Sequence, residues 1–167
     1  MTFVDIVKAG NPILQMAAKP VTNFGSKALN ELIEFLFFHM QHYLGVGLAA
    51  PQIGESQQVF VYGITQNPRY PEAKPVPRTV MINPEIVEFS EDKNDSYEGC
   101  LSVPHIRGSV SRSSSIKCRA YTPEGELIER IVSGFEARII QHETDHLAGI
   151  LFPSRMTDMG SLMYSIN

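Results

Sequence analysis

Six consecutive residues carry the strongest chemical signal in the chain: Gln141, His142, Glu143, Thr144, Asp145 and His146. They contain His-Glu-x-x-His. Two histidines four apart on a helix lie on one face, one turn above the other, so both imidazoles reach a single metal ion. A glutamate beside the first histidine can then act as a base toward a metal-bound water. The bland alternative is a helix with two surface histidines and a solvated carboxylate. A catalytic site of this type needs a third protein ligand and an open position. Downstream the chain offers only Asp158 as a carboxylate and no histidine. Upstream, Cys100 sits beside Gly99, and a thiolate is a strong ligand for a soft or borderline divalent metal.

The motif needs a helix to carry it. Ser133-Gly134-Phe135-Glu136 fits a capping box, with the Ser133 hydroxyl on the Glu136 N–H and the Glu136 carboxylate reaching back. Gly149 suits the position after the last turn, followed by apolar Ile150. The helix is therefore predicted from about Gly134 to Ala148. A second helix is predicted from Ser26 to Leu44. Ser26 caps it, Leu29, Leu32, Ile33, Leu36, Met40 and Tyr43 form its apolar stripe, and Gly45 ends it in the left-handed conformation. His39 and His42 on this helix are read as packing or surface residues.

Strands are predicted over Gln58–Ile64, Thr79–Ile82, Glu85–Phe89, Ser109–Arg112, Ser115–Tyr121 and Leu127–Val132. Asn83-Pro84 is expected to interrupt the second and third of these. Ser90 to Ser96 reads as an exposed polar turn. Thr65 to Arg78, with four prolines, reads as a long surface loop. Residues 1–25 read as an irregular arm with a helical turn opened by Asn11-Pro12. The fold class is α+β, with antiparallel or mixed sheets around a central helix that carries the motif.

The 167 residues fit one catalytic domain, 1–167, able to bury a core. The formal net charge of −4 argues against a broad nucleic-acid surface. No apolar run is long enough to span a bilayer and no signal-peptide pattern opens the chain. The two cysteines, Cys100 and Cys118, make no disulfide framework, which fits a reducing cytoplasm. Cys118 is expected to be a small buried residue.

Three stretches together resemble the signature motifs of the peptide deformylases: Gly45-Val46-Gly47-Leu48-Ala49-Ala50-Pro51-Gln52, Glu98-Gly99-Cys100-Leu101-Ser102 and Gln141-His142-Glu143-Thr144-Asp145-His146-Leu147. The resemblance implies an enzyme that removes the N-terminal formyl group from N-formylmethionyl peptides of newly made proteins and releases formate. It implies one divalent metal held by Cys100, His142 and His146, typically Fe(2+), with Zn, Ni or Co able to substitute. It gives Glu143 the acid–base role and Gln52 and the Leu101 N–H the stabilisation of the oxyanion.

The implied partners are nascent N-formylmethionyl polypeptides near the ribosome, in the cytoplasm, with neither nucleic acid nor membrane involved. The chain ends soon after the motif helix, so the long basic C-terminal helix that some members use on the ribosome is not expected. Gly47 is expected to pair with the substrate backbone as an added strand. Val46, Phe135 and Ile139 would line the methionine pocket. Arg107 is read as a pocket arginine or else a surface cation. Glu98 is expected to hold Arg107 or orient its loop, with Asp145 in a supporting role. Two rival readings are a general zinc endopeptidase and a non-catalytic, metal-stabilised binding protein.

Overall fold

A computed structural model describes residues 4–68 and 70–165. Residues 1–3 of the N-terminal arm, Arg69 of the Pro-rich loop and the last two residues of the tail lie outside the described residues. The chain forms α1 (Lys27–His42), β1 (Gly47–Ala49), β2 (Val59–Ile64), β3 (Val76–Phe89), β4 (Lys93–Cys100), β5 (Val103–Ser113), β6 (Ser115–Tyr121), β7 (Leu127–Ser133), α2 (Gly134–Leu147) and β8 (Met163–Tyr164). Short 3-10 turns cover Pro12–Gln15, Ala50–Ile53, Phe152–Arg155 and Met159–Ser161.

Two antiparallel sheets result, one ordered β1-β2-β3-β6-β7 and the other β4-β5-β8. Strand β2 explains their layering. Val59 and Val61 point to one side and pack with Leu36, Leu48 and Ile82 under α1. Phe60 and Tyr62 point to the other and pack with Met81, Ile116, Cys118 and Ile140 under α2. All four β2 side chains are fully buried. A strand buried on both faces loses its polar alternation. Each such side chain contributes roughly 1.5–3 kcal/mol by leaving water. A third, smaller core of Cys100, Val103, Val110 and Phe152 lies under the second sheet.

Several local expectations meet the structure closely. Ser26 Oγ accepts the Leu29 N–H at 3.2 Å, so α1 starts where its cap is. At the end of α2, Gly149 takes φ +75° and the Ile150 N–H reaches the Asp145 carbonyl at 2.9 Å, closing the helix as a left-handed cap. His39 is buried; its Nε2 accepts the Val4 N–H at 3.2 Å and its Nδ1 lies 2.8 Å from the Phe35 carbonyl. Cys118 is buried in the core beneath α2.

Other expectations are corrected. Leu44, not Gly45, takes the left-handed conformation after α1, at φ 53°. Gly45 is needed for space instead: a Cβ there would sit 3.2 Å from both the Gly47 carbonyl and Leu101 Cδ1. The two strands around Asn83-Pro84 are one continuous β3. Asn83 bulges at φ 47°, and its side chain bonds both the N–H and the carbonyl of Val21 at 2.8 Å, which lets a proline sit inside a strand. The polar stretch after Ser90 is not all turn, because Lys93 onward forms β4. Ser133 makes no side-chain cap. It ends β7, and Glu136 instead accepts from Tyr62 Oη at 2.8 Å and pairs with Arg130 at 2.9 Å.

Candidate metal centre

Three side chains from two elements converge on one point. Cys100 ends β4 just before the tight connection to β5, where it pairs across with Val103. His142 and His146 stand one turn apart on α2, their ring centroids 5.0 Å apart and inclined at 74°. One ligand atom from each of the three residues lies within 4.8 Å of the other two. Cys100 Sγ is 3.3 Å from His146 Nε2 and accepts the Ser102 N–H at 3.4 Å.

A carboxylate fixes the first histidine. His142 Nδ1 lies 2.9 Å from Glu98 Oε2, which leaves its Nε2 for the shared point. Glu98 is itself gripped by Arg112, whose Nε and NH2 reach the two carboxylate oxygens at 2.9 Å each, and by Arg138 NH1 at 2.8 Å. Arg112 continues to Asp145 at 2.6 Å, and Asp145 to Arg155 at 2.6 Å. His146 Nδ1 is buried with no partner among the described residues.

The electrostatics follow from this crowding. Burial alone would raise the Glu98 carboxyl, but the bonds from His142 and Arg112 hold it well below the usual carboxylate range. Burial would likewise raise the Cys100 thiol, yet the adjacent His146 and His142 bring it well below its ordinary value. His142 is raised in turn, since Cys100 and Glu98 outweigh its desolvation. The thiolate is thus already favoured before any ion binds, and a metal would replace protons held between thiolate and imidazole. One thiolate and two imidazoles form a donor set suited to a borderline divalent ion.

Glu143 faces the same cavity. It is buried, its Oε2 has no partner among the described residues, and burial pushes its carboxyl up to about 7, against the pull of His142 and His146. Gly47 of β1 lies against it so closely that a Cβ there would fall on the Glu143 carboxylate. Gln52 is buried, and its Oε1 is fixed by the Ala49 N–H at 2.9 Å. Its Nε2 is thereby aimed at Ser102 Oγ, 3.2 Å away, and Cys100 Sγ, 3.6 Å away. The N-terminal arm ties both loops down. Val7 N–H bonds the Gln52 carbonyl, Ala9 N–H the Ser102 carbonyl, and Lys8 Nζ the Leu101 carbonyl at 3.0 Å.

A cavity of about 590 Å³ opens at this point between β1, β4, α2 and the Pro-rich loop. Val46, Gly47, Gln52, Glu98, Cys100, Leu101, Arg107, Phe135, Ile139, His142 and Glu143 all line it. His146 lies beneath it, bonded to Cys100. Glu98 does not hold Arg107. Glu98 faces Gly108 across the ladder, so it shares a face with Val110 and Arg112, whereas Arg107 faces Gly99 on the opposite side. Arg107 donates to the Tyr97 carbonyl at 3.1 Å and lies 5.7 Å from the Tyr70 ring centroid. Arg112, Arg138 and Tyr70 escaped the sequence reading. Only Arg138, four residues before His142 on the motif helix, stood at a spacing that could have pointed to it.

Known proteins share this arrangement of chain. A family model described as Polypeptide deformylase matches residues 3–161. Peptide deformylase 1 of Bordetella pertussis is 46% identical over 160 residues, covering 96% of this chain and 91% of that protein. Peptide deformylase 2 of Ralstonia nicotianae is 48% identical over 153 residues, covering 92% and 86%. The Met-Ala-Ser-bound class I type b peptide deformylase from Acinetobacter baumannii superposes with a TM-score of 0.90 at 43% identity, over 93% of this chain and all of that one. Peptide deformylase from Thermotoga maritima gives a TM-score of 0.84 at 40% identity, over 95% and 100%.

Proposed function

The chain belongs to the polypeptide deformylase family, a family of metalloenzymes, and from that premise we propose how its residues divide the work. The protein removes the N-terminal formyl group from nascent formylated peptides, a hydrolysis of a terminal formamide to formate and a free amine. The relatives do not favour a general endopeptidase or a non-catalytic binding protein. The observation that carries the assignment of residues is the convergence of Cys100, His142 and His146 beside a buried Glu143 whose Oε2 has no partner among the described residues.

Cys100, His142 and His146 hold one divalent ion, Fe(2+) in the cell, with Zn, Ni or Co able to replace it. When bound, it supplies Lewis-acid polarisation of the formyl carbonyl and makes water easier to deprotonate. Glu143, with a carboxyl pushed to about 7, takes the proton from the attacking water and returns it to the departing amine nitrogen as the C–N bond breaks. Gln52 Nε2 and the Leu101 N–H meet the negative charge on the formyl oxygen. Gln52 suits this role because Ala49 pins its carbonyl end and leaves the donor end aimed inward.

The open edge of β1 at Gly47 pairs with the peptide backbone, which makes binding tolerant of sequence. Val46, Phe135 and Ile139 receive the methionine side chain, and Arg107 lines the same cavity. Glu98 keeps the His142 ring in the productive tautomer. Residues 1–167 act as one catalytic domain in the cytoplasm, on chains leaving the ribosome, without engaging nucleic acid or membrane.

Formate release from formyl-Met-Ala-Ser by anaerobically purified, iron-loaded protein tests this reading. Robust turnover is expected, with a loss of at least 10³-fold in Glu143→Ala. A metal-loaded wild type that releases no formate overturns it.

A further inference from the structure

Helix α2 turns Phe135, Arg138, Ile139 and His142 toward the cavity, a run of i, i+3, i+4 and i+7 on one face. Phe135 and Ile139 suit a thioether side chain. Arg138 does not, although it is only 8% exposed. Its NH1 donates to Glu98 Oε1 at 2.8 Å and to the Val110 carbonyl at 2.9 Å. Its NH2 donates to the Asn94 carbonyl at 2.5 Å and Asn94 Oδ1 at 3.3 Å. Four of its five N–H groups are thereby used. The fifth, on Nε, has no acceptor among the described residues.

The opposite wall repeats the theme. On β4, residues 94, 96 and 98 share a face, because strand side chains alternate. Asn94 and Glu98 both hold the Arg138 guanidinium, so Ser96 lies between them, next to that guanidinium. Ser96 also lines the cavity, where it is exposed to solvent. A cavity lined by Phe135, Ile139 and Val46 therefore also carries two donors, the Arg138 Nε–H and the solvent-exposed Ser96 Oγ–H.

A methionine sulfur is a weak acceptor and gains little from them. Its oxidation product has a strongly polarised S–O oxygen on an otherwise similar side chain. We propose that this pocket also accepts formylmethionine sulfoxide, its oxygen taking hydrogen bonds from Arg138 and Ser96 while Phe135 and Ile139 hold the methylenes. Oxidised initiator residues are then deformylated rather than rejected. An all-apolar pocket would strip water from that oxygen and return nothing. The inference rests on the side-chain pocket assigned above.

The test compares kcat/KM for formyl-Met-Ala-Ser, its two sulfoxide epimers and the norleucine peptide, in wild type, Arg138→Met and Ser96→Ala. Using the sulfoxide-to-thioether ratio cancels damage to the metal centre, which affects all substrates alike. The better epimer is expected to keep at least one tenth of the thioether value in wild type. The ratio is expected to fall threefold or more in Arg138→Met and to fall in Ser96→Ala, with norleucine tracking the thioether throughout. A wild-type ratio below one tenth, or a ratio that neither variant lowers, overturns the proposal. If Arg138→Met does not fold, the wild-type and Ser96→Ala ratios decide. Calorimetric binding of Met-Ala-Ser and its sulfoxide to zinc-loaded protein gives a second readout, expected to agree within tenfold. If no formyl peptide is cleaved, the assigned function fails, and these affinities still decide the question of the pocket.

Discussion

Gly47 is a position where one added methyl group strikes the proposed acid–base carboxylate directly. A Cβ built there lies 2.7 Å from Glu143 Cδ and 2.9 Å from its Cγ, about 0.7 Å short of the 3.4 Å at which ordinary contact begins. Either β1 retreats or the carboxylate swings away. Displacing a reacting group by about 1 Å costs roughly 10²-fold in rate, so Gly47→Ala should lose about that much in kcat/KM on formyl-Met-Ala-Ser. Overpacking a filled site costs about 1–3 kcal/mol. At about 2–4 °C per kcal/mol for a chain of this length, the melting temperature should fall by about 2–12 °C. Because the clash is with the Glu143 side chain, Gly47→Ala combined with Glu143→Ala should recover most of the stability and none of the activity. Activity within threefold of wild type with an unchanged melting temperature would refute the close approach of β1 to Glu143. So would a stability loss that persists undiminished in the double variant.

Two further expectations concern the buried charges. Glu98→Gln leaves Arg112 and Arg138 facing an amide in a buried site and should cost about 3–5 kcal/mol in a denaturant titration. It should also weaken zinc retention against a chelator by about 10–100-fold through His142, and a loss under 1 kcal/mol with unchanged zinc affinity would contradict the network. Tyr62 is raised above its ordinary 10.0, first by burial and then by Glu136. The fold therefore favours the neutral phenol. That contribution is complete below about pH 10 and is lost as pH climbs through the raised folded value. Melting temperatures should fall above pH 10 in wild type and fall less in Tyr62→Phe; identical alkaline profiles would count against it.

The helices and the inner strands of the larger sheet could be read from sequence because packing and propensity agree there. Ser26 caps α1, Gly149 closes α2, and Ser115–Tyr121 is a strand with the predicted ends. What escaped depends on partners distant in the chain. Strand β4 begins with exposed polar residues because it lies at the edge of its sheet, so no apolar alternation marks it. The unity of β3 rests on Asn83 bonding Val21, 62 residues away. The Ser133 box failed because Tyr62 and Arg130 claim Glu136. At the site, the residues that bear the chemistry lie in compact motifs. Those that hold them do not: Arg112 reaches Glu98 across a strand pair and Asp145 from 33 residues away.

The cavity lies where two sheets each end, at β1 and at β4. Strand β1 has three residues, and the Ala49 N–H is already bonded to the Gln52 side chain, so its outer edge offers backbone for pairing at Gly47. A strand in the interior of another protein's sheet has no free edge to offer Gly47 under the proposed binding mode. If the substrate backbone pairs at Gly47 as proposed, the cleft would admit an amino terminus while it is still unstructured and exclude it once folding has paired it elsewhere, which would confine the reaction to the early life of the substrate chain.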